Sequence, residues 1–222
     1  MVLSESHDGW SASTPLSALT DPNREAILAI GMNGQPLPIE HGFPVRMVVP
    51  GLYGFVSATK WVTSLRLTTY AEEQAYWTPL GWAPRAPIKL ASRIDVPRKS
   101  TIDAGKVVVA GVAWAQHTGI SAVEVQVDQG AWQPALLAGT SGPDTWRQWK
   151  FEWPAAAGSH TLTVRATDAD GMLQTAEVAP PAPDGACASC SPALARPPTG
   201  CSRGWRRAAS RSSRTTARSS AP

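Results

Sequence analysis

Cysteine is missing from almost all of this 222-residue chain; the only three are Cys187, Cys190 and Cys201. The long stretch before them can therefore contain neither a disulfide nor a thiolate metal ligand. Phe and Tyr are scarce at three each, while Trp reaches ten and Pro 20. That balance suits β-structure with many rigid turns. No run of about 18 apolar residues occurs, so no membrane-spanning helix is expected. Met1 to Asp8 has no basic stretch leading into an apolar core, so no secretory signal is read there and localisation is not legible. Acidic residues also stop, at Asp184. The net charge of +3 misleads for that reason: Arg196, Arg203, Arg206, Arg207, Arg211, Arg214 and Arg218 lie beyond Asp184, and the other 13 basic residues face all 17 acidic ones. The body is mildly acidic and the basic character belongs to the tail. An Arg cluster in a solvated tail is not evidence for nucleic-acid binding, and none is expected.

What the chain does have is 43% hydrophobic residues with 17% charged, enough for a globular body with a core. Its most informative stretch runs from His41-Gly42-Phe43-Pro44-Val45-Arg46 through Met47-Val48-Val49-Pro50-Gly51 to Thr59-Lys60-Trp61. Val45 to Val49 is a short apolar strand bracketed by Pro44 and Pro50, yet it carries Arg46. A guanidinium in such a place is costly unless an anion meets it. On these residues alone the plainer account comes first: a neighbouring carboxylate for Arg46 and a turn-capping role for His41.

Elsewhere in the first part, Asp21-Pro22 is expected to open a helix, with Asp21 as N-cap. Ala26 to Ile30 fits either the end of that helix or a buried strand, and Asn33-Gly34 is a tight turn. Trp61 to Leu67 reads as a half-buried strand with Leu65 and Leu67 inward. Tyr76 to Pro87 has no periodicity, and its rings are expected to pack on a neighbour. From Ile94 the character changes. Val107 to Trp114, Val123 to Val127, Arg147 to Trp153 and Thr161 to Ala166 are short strands separated by turns, including Asp128-Gln129-Gly130. They predict an antiparallel β-sandwich. His7, His117 and His160 have no motif around them and read as surface or turn residues.

Two sets of residues carry a family resemblance. Asn33-Gly34-Gln35-Pro36-Leu37-Pro38-Ile39-Glu40-His41-Gly42-Phe43-Pro44-Val45-Arg46, then Val49-Pro50-Gly51 and Lys60-Trp61, closely resembles the molybdopterin-binding domain of the sulfite oxidase family. Asp8-Gly9-Trp10 resembles an upstream segment of prokaryotic members. Gly111 to Trp114, Ile120 to Asp128, Trp132, Trp146-Arg147-Gln148-Trp149 and Arg165 to Asp168 resemble that family's immunoglobulin-like dimerisation domain.

The resemblance implies a mainly β chain. Residues 1–75 would be the C-terminal part of a partial α+β molybdopterin-binding domain and 76–93 a connector. Residues 94–183 would be an immunoglobulin-like sandwich, and 184–222 a disordered Arg/Ser/Pro-rich tail. It implies a molybdenum-molybdopterin cofactor contacted by Asp8, His41, Arg46, Ala58, Thr59 and Lys60, with Arg147 reaching a small anionic substrate. Arg147 stacked on Trp146 or Trp149 is the plainer alternative. The cofactor's phosphate suits a planar Arg fork and a Lys charge. Activity would be oxygen-atom transfer to a substrate such as sulfite, in a homodimer.

The family's metal-binding cysteine lies upstream of the region that matches. The chain is therefore expected to lack the direct metal anchor and to be a fragment inactive alone. The patternless stretch from Cys187, where the family continues differently, is expected to be a frame-shifted tail or a misassigned gene end. The family's closing strand is expected to be missing, leaving a sheet edge unpaired. Cys187-Ala188-Ser189-Cys190 has metal-like spacing but no nearby His, so no zinc site is expected. The alternative to an enzyme fragment is a non-catalytic β-sandwich module for dimerisation or binding.

Overall fold

The structure is a computed structural model; it describes residues 1–98, 102–177, 182–184 and 193–195. Most of the sequence-predicted tail lies outside these residues.

The first segment begins with a hairpin, β1 (Val2–Ser6) and β2 (Ser11–Thr14), followed by the short helix α1 (Leu16–Thr20). Then come β3 (Ile27–Ala29), β4 (Gly31–Met32), β5 (Gln35–Pro36), β6 (Arg46–Val48) and β7 (Val62–Leu67). β1 is central in a three-stranded antiparallel sheet of order β2-β1-β7, while β3 pairs with β6 and β4 with β5. The β4–β5 turn is Asn33-Gly34, with φ of 53° and 74°. Two left-handed residues are what a two-residue hairpin turn demands.

Three expectations need correction here. Asp21 does not open a helix but closes one: its N–H donates to the Ser17 carbonyl at 3.2 Å, and its carboxylate accepts from the Asn23 N–H at 2.9 Å. Pro22 explains this, because a residue before proline is pushed out of the helical region, and Asp21 has ψ 111°. Ile27 and Leu28 do form a strand, but they are half exposed rather than buried. β7 forms as expected, yet Leu65 and Leu67 point outward and Val62 and Ser64 face in. Its inward side holds a polar contact, Ser64 Oγ donating to Glu5 Oε2 at 2.5 Å.

The second part comprises β8 (Ala91–Val96), β9 (Gly105–Trp114), β10 (Ile120–Val127), β11 (Gln133–Pro134), β12 (Leu136–Leu137), β13 (Arg147–Ala155), β14 (His160–Asp168) and β15 (Ala193–Ala195). Two antiparallel sheets, β11-β10-β14-β15 and β12-β13-β9-β8, form a β-sandwich. Their inner faces meet in one core of Val109, Ala113, Val123, Val125, Trp149, Phe151, Trp153, Leu162, Val164 and Ala166. Strand period 2 accounts for that set, since every second residue of β13 and β14 points inward. The tail does contribute structure: Ala193–Ala195 pairs with His160 to Leu162, so β14 is not left wholly uncovered.

Gly111 is fixed by packing. A Cβ there would run into the Arg93 carbonyl and lie 3.0 Å from Trp149 Cζ2, so the close approach of β8 to β9 needs a residue with no side chain.

The stretch between the two parts is tied at both ends. Trp82 packs edge-on to Phe55 at 4.8 Å and to Trp77 at 5.8 Å, so its rings do cover a neighbour. Tyr53 N–H donates to Ala86 O at 2.8 Å, and Ile88 N–H to Gly51 O at 2.9 Å.

Candidate cofactor-contacting site

The site is built around a single turn. Ile39–His41 forms one 3-10 turn, and Gly42 closes it with φ 110° and ψ 22°. A Cβ on Gly42 would lie 3.0 Å from Arg46 Cβ, 3.0 Å from Lys60 Cβ and 3.1 Å from Lys60 Cγ. The two cationic stems therefore both press on the same glycine, although 14 positions apart in sequence. Glycine is required there on two counts, backbone conformation and space.

The carbonyls of this turn hold the surrounding donors. Trp61 Nε1 donates to Ile39 O at 2.7 Å, Lys60 Nζ to Glu40 O at 3.0 Å, and Arg46 Nη1 to His41 O at 3.3 Å. Lys60 Nζ also sits 4.6 Å from the Trp61 ring centroid. Arg46 reaches the turn from β6, which Met47 and, just past the strand's end, Val49 anchor in a small core with Ala18. Arg46 Nε is buried and has no hydrogen-bond partner. Among the described residues, neither Arg46 nor Lys60 forms an ion pair. The carboxylate partner that would have explained Arg46 structurally is absent there.

The remaining sequence-predicted residues fall in three places. Asp8 caps the β1–β2 turn, accepting from Trp10 N–H at 3.1 Å, and the adjoining His7 N–H donates to Trp61 O at 3.0 Å. That bond brings the hairpin tip to the loop bearing Lys60. The Ser6 hydroxyl, which lacks a partner of good geometry, and then the Trp10 N–H hold the exposed Asp8 carboxyl below the usual carboxylate range. Ala58 and Thr59 are committed inward. Ala58 N–H donates to Gly54 O at 3.0 Å, and the buried Thr59 hydroxyl lies 2.6 Å from Ser4 Oγ. They set the path of the loop, and Lys60 is the member of that trio that faces the turn.

Arg147 lies apart from this group, at the start of β13 opposite Ala113. It lines a cleft of about 360 Å³ with Thr118, Gly119, Thr140, Pro143 and Thr145, and its Nε is buried without a hydrogen-bond partner. The cation over Trp146 is Arg93, at 5.6 Å, and Trp146 itself stacks on Trp114 at 4.8 Å.

Sequence reasoning missed Gly42 as the pivot and Trp61 as a donor. The signal for Gly42 was its place between His41 and Phe43, where a turn needs left-handed backbone.

Residues 1–77 match the family model of the oxidoreductase molybdopterin binding domain. Human mitochondrial sulfite oxidase is 35% identical over 198 residues, which cover 77% of this chain and 36% of that protein. Arabidopsis thaliana sulfite oxidase is 31% identical over 145 residues, covering 54% and 35%. The sulfane dehydrogenase SoxCD of Paracoccus pantotrophus shares the fold, with a TM-score of 0.64 over 78% of this chain and 47% of that one at 24% identity. The first segment is thus part of a molybdopterin-binding oxidoreductase domain. The chain belongs to the sulfite oxidase family, and it spans about a third of the length of its curated relatives.

The turn suits the anionic part of a pterin cofactor: two cations with no counter-ion among the described residues, a buried unpartnered N–H on one of them, and a glycine on which both stems pack. No group of three or more His, Cys, Asp or Glu side chains placed to hold a metal occurs among the described residues. No helix among them is long and apolar enough to cross a membrane.

Proposed function

We propose that this chain supplies one wall of a molybdopterin site, with Arg46 and Lys60 neutralising the cofactor's phosphate and His41 donating beside them. Asp8 borders the same wall from the hairpin tip, and the loop at Ala58 and Thr59 carries Lys60 to it. The observation that supports this most is the pair of cations on Gly42, with Arg46 Nε buried and unpartnered. A guanidinium left in that state is stabilised by an incoming anion, because charge-assisted bonds replace an unmet one.

The whole site would serve a molybdenum oxidoreductase that passes an oxygen atom to a small substrate such as sulfite; the bound cofactor supplies the redox change. Arg147 would meet the substrate's negative charge, since its own Nε has no partner and its cleft is lined by hydroxyls. Residues 1–75 would act as the cofactor wall, 76–93 as connector and 94–183 as the dimerising sandwich of a homodimer.

Isothermal titration with inorganic phosphate at low ionic strength tests the wall. Saturable binding is expected, and R46A or K60A should weaken it about tenfold or more, from the roughly 1.5–3 kcal/mol of a hydrogen bond to a charged group. Equal binding by wild type and R46A would defeat the reading. Metal analysis bears on the functional class: stoichiometric molybdenum in the purified chain fits the oxidoreductase and excludes a purely non-catalytic binding module.

A further inference from the structure

We propose that the Gln116-His117 turn is a latch that positions the Arg147 cleft against the end of the strand bearing Arg46. Two elements far apart in sequence meet there. Gly51 N–H donates to Gln116 Oε1 at 2.9 Å. The Pro50 carbonyl accepts from Arg24 Nη1 at 2.9 Å and lies 3.1 Å from His117 Nε2, while Arg24 Nη1 is 3.0 Å from that same nitrogen. The imidazole and the guanidinium fill the space over Gly51, whose φ is +80°. A Cβ there would run into His117 Nε2 and come 2.8 Å from Arg24 Nη1.

On its other side His117 is tied to the cleft. Its N–H donates to Asp144 Oδ1 at 2.7 Å, and its Nδ1 is 3.2 Å from the same oxygen. Asp144 sits between Pro143 and Thr145, and both line the Arg147 cleft with Thr118 and Gly119. A continuous set of contacts therefore runs from Pro50-Gly51, just past β6, through one side chain to the wall of the cleft.

The backbone argues that this side chain matters. His117 has φ 68°, the left-handed region that a non-glycine residue occupies only when its surroundings compel it. A turn with no further role would be easier to build with glycine, as at Gly119 two residues on. Arg24, with Asp21 at 4.0 Å, and Asp144 are the charged groups facing the ring. The proposal rests on the reading above only for what the two sites bind, and not for the contact itself.

Hydrogen exchange on the full chain tests it with two variants. H117G keeps the left-handed turn and deletes the ring; G51A leaves the His117 turn's own sequence unchanged and drives the ring and Arg24 from their places, with the added backbone cost of an L-residue at φ +80°. Both should speed amide exchange at Gly51, Thr118 and Gly119 by at least about threefold, with β10 and β13 unchanged. A histidine serving only as a turn residue gives the opposite sign for H117G, because glycine relaxes the backbone. Acceleration below about threefold in either variant overturns the latch. These amides report no anion binding, so failure of the phosphate titration would leave this result standing.

Discussion

Replacing Gly42 by alanine isolates the geometry on which the candidate site depends. At φ 110° an L-residue is strained, and the left-handed region costs a non-glycine residue roughly 1–2 kcal/mol. The added methyl would also meet Arg46 Cβ and Lys60 Cβ, each at 3.0 Å. Forcing a methyl into a filled space costs about 1–3 kcal/mol more. Gly9 provides the control: it has φ +85°, and a Cβ there meets nothing within 4 Å. G9A should show the backbone cost alone, and G42A the backbone and packing costs together. The difference, about 1–3 kcal/mol, measures how firmly the two cations are held against the turn. Ten Trp residues blur fluorescence, so peptide-resolved hydrogen exchange across residues 2–14 and 39–62 is the suitable assay. G42A should also weaken phosphate binding, whereas G9A should not. Equal destabilisation by both variants would refute the argument that Arg46 and Lys60 share that glycine.

Other outcomes follow from packing and charge. G111A should destabilise the sandwich by more than about 3 kcal/mol, because the obstacle is the Arg93 backbone carbonyl; a soluble G111A with an unchanged near-ultraviolet spectrum would contradict this. W153A removes a ring that is 5% exposed, and urea unfolding should register a loss of about 3–5 kcal/mol. Asp8 is held below the ordinary aspartate value of 3.8, so its contribution is present above that pH and is lost as pH falls through the lowered value. D8N should therefore flatten the acid limb of the stability curve; an acid limb identical to wild type would show that the turn carries no such linkage.

The sandwich was legible because its strands are long and two-sided. Arg147 to Trp153 alternates charge with large rings, and Trp149, Phe151 and Trp153 are buried as that pattern requires. The first segment was harder to read because its strands are short and its sheet has only three members. Leu65 and Leu67 show why: alternation gives a period but not which face is covered, and the inner face of β7 is held by Val62 and a Ser64–Glu5 bond. Asp21-Pro22 misled because the same pair that can start a helix also stops one. In the site, motif order brought Arg46 and Lys60 to one turn. It could not reveal that the Thr59 hydroxyl is used by Ser4, 55 positions away. Nor could it reveal the latch at His117, whose partners come from three separate stretches of chain.

The stretch joining the two halves is not a tether. Leu52 bridges Pro87, and the backbone at Gly51 and Tyr53 bonds to Ile88 and Ala86. A protease or engineer cutting near Ala86 would thus remove part of the first half's own scaffold. Adding residues there would shift the register of both halves at once, so the length of this joint is as much a specification as any side chain in the site.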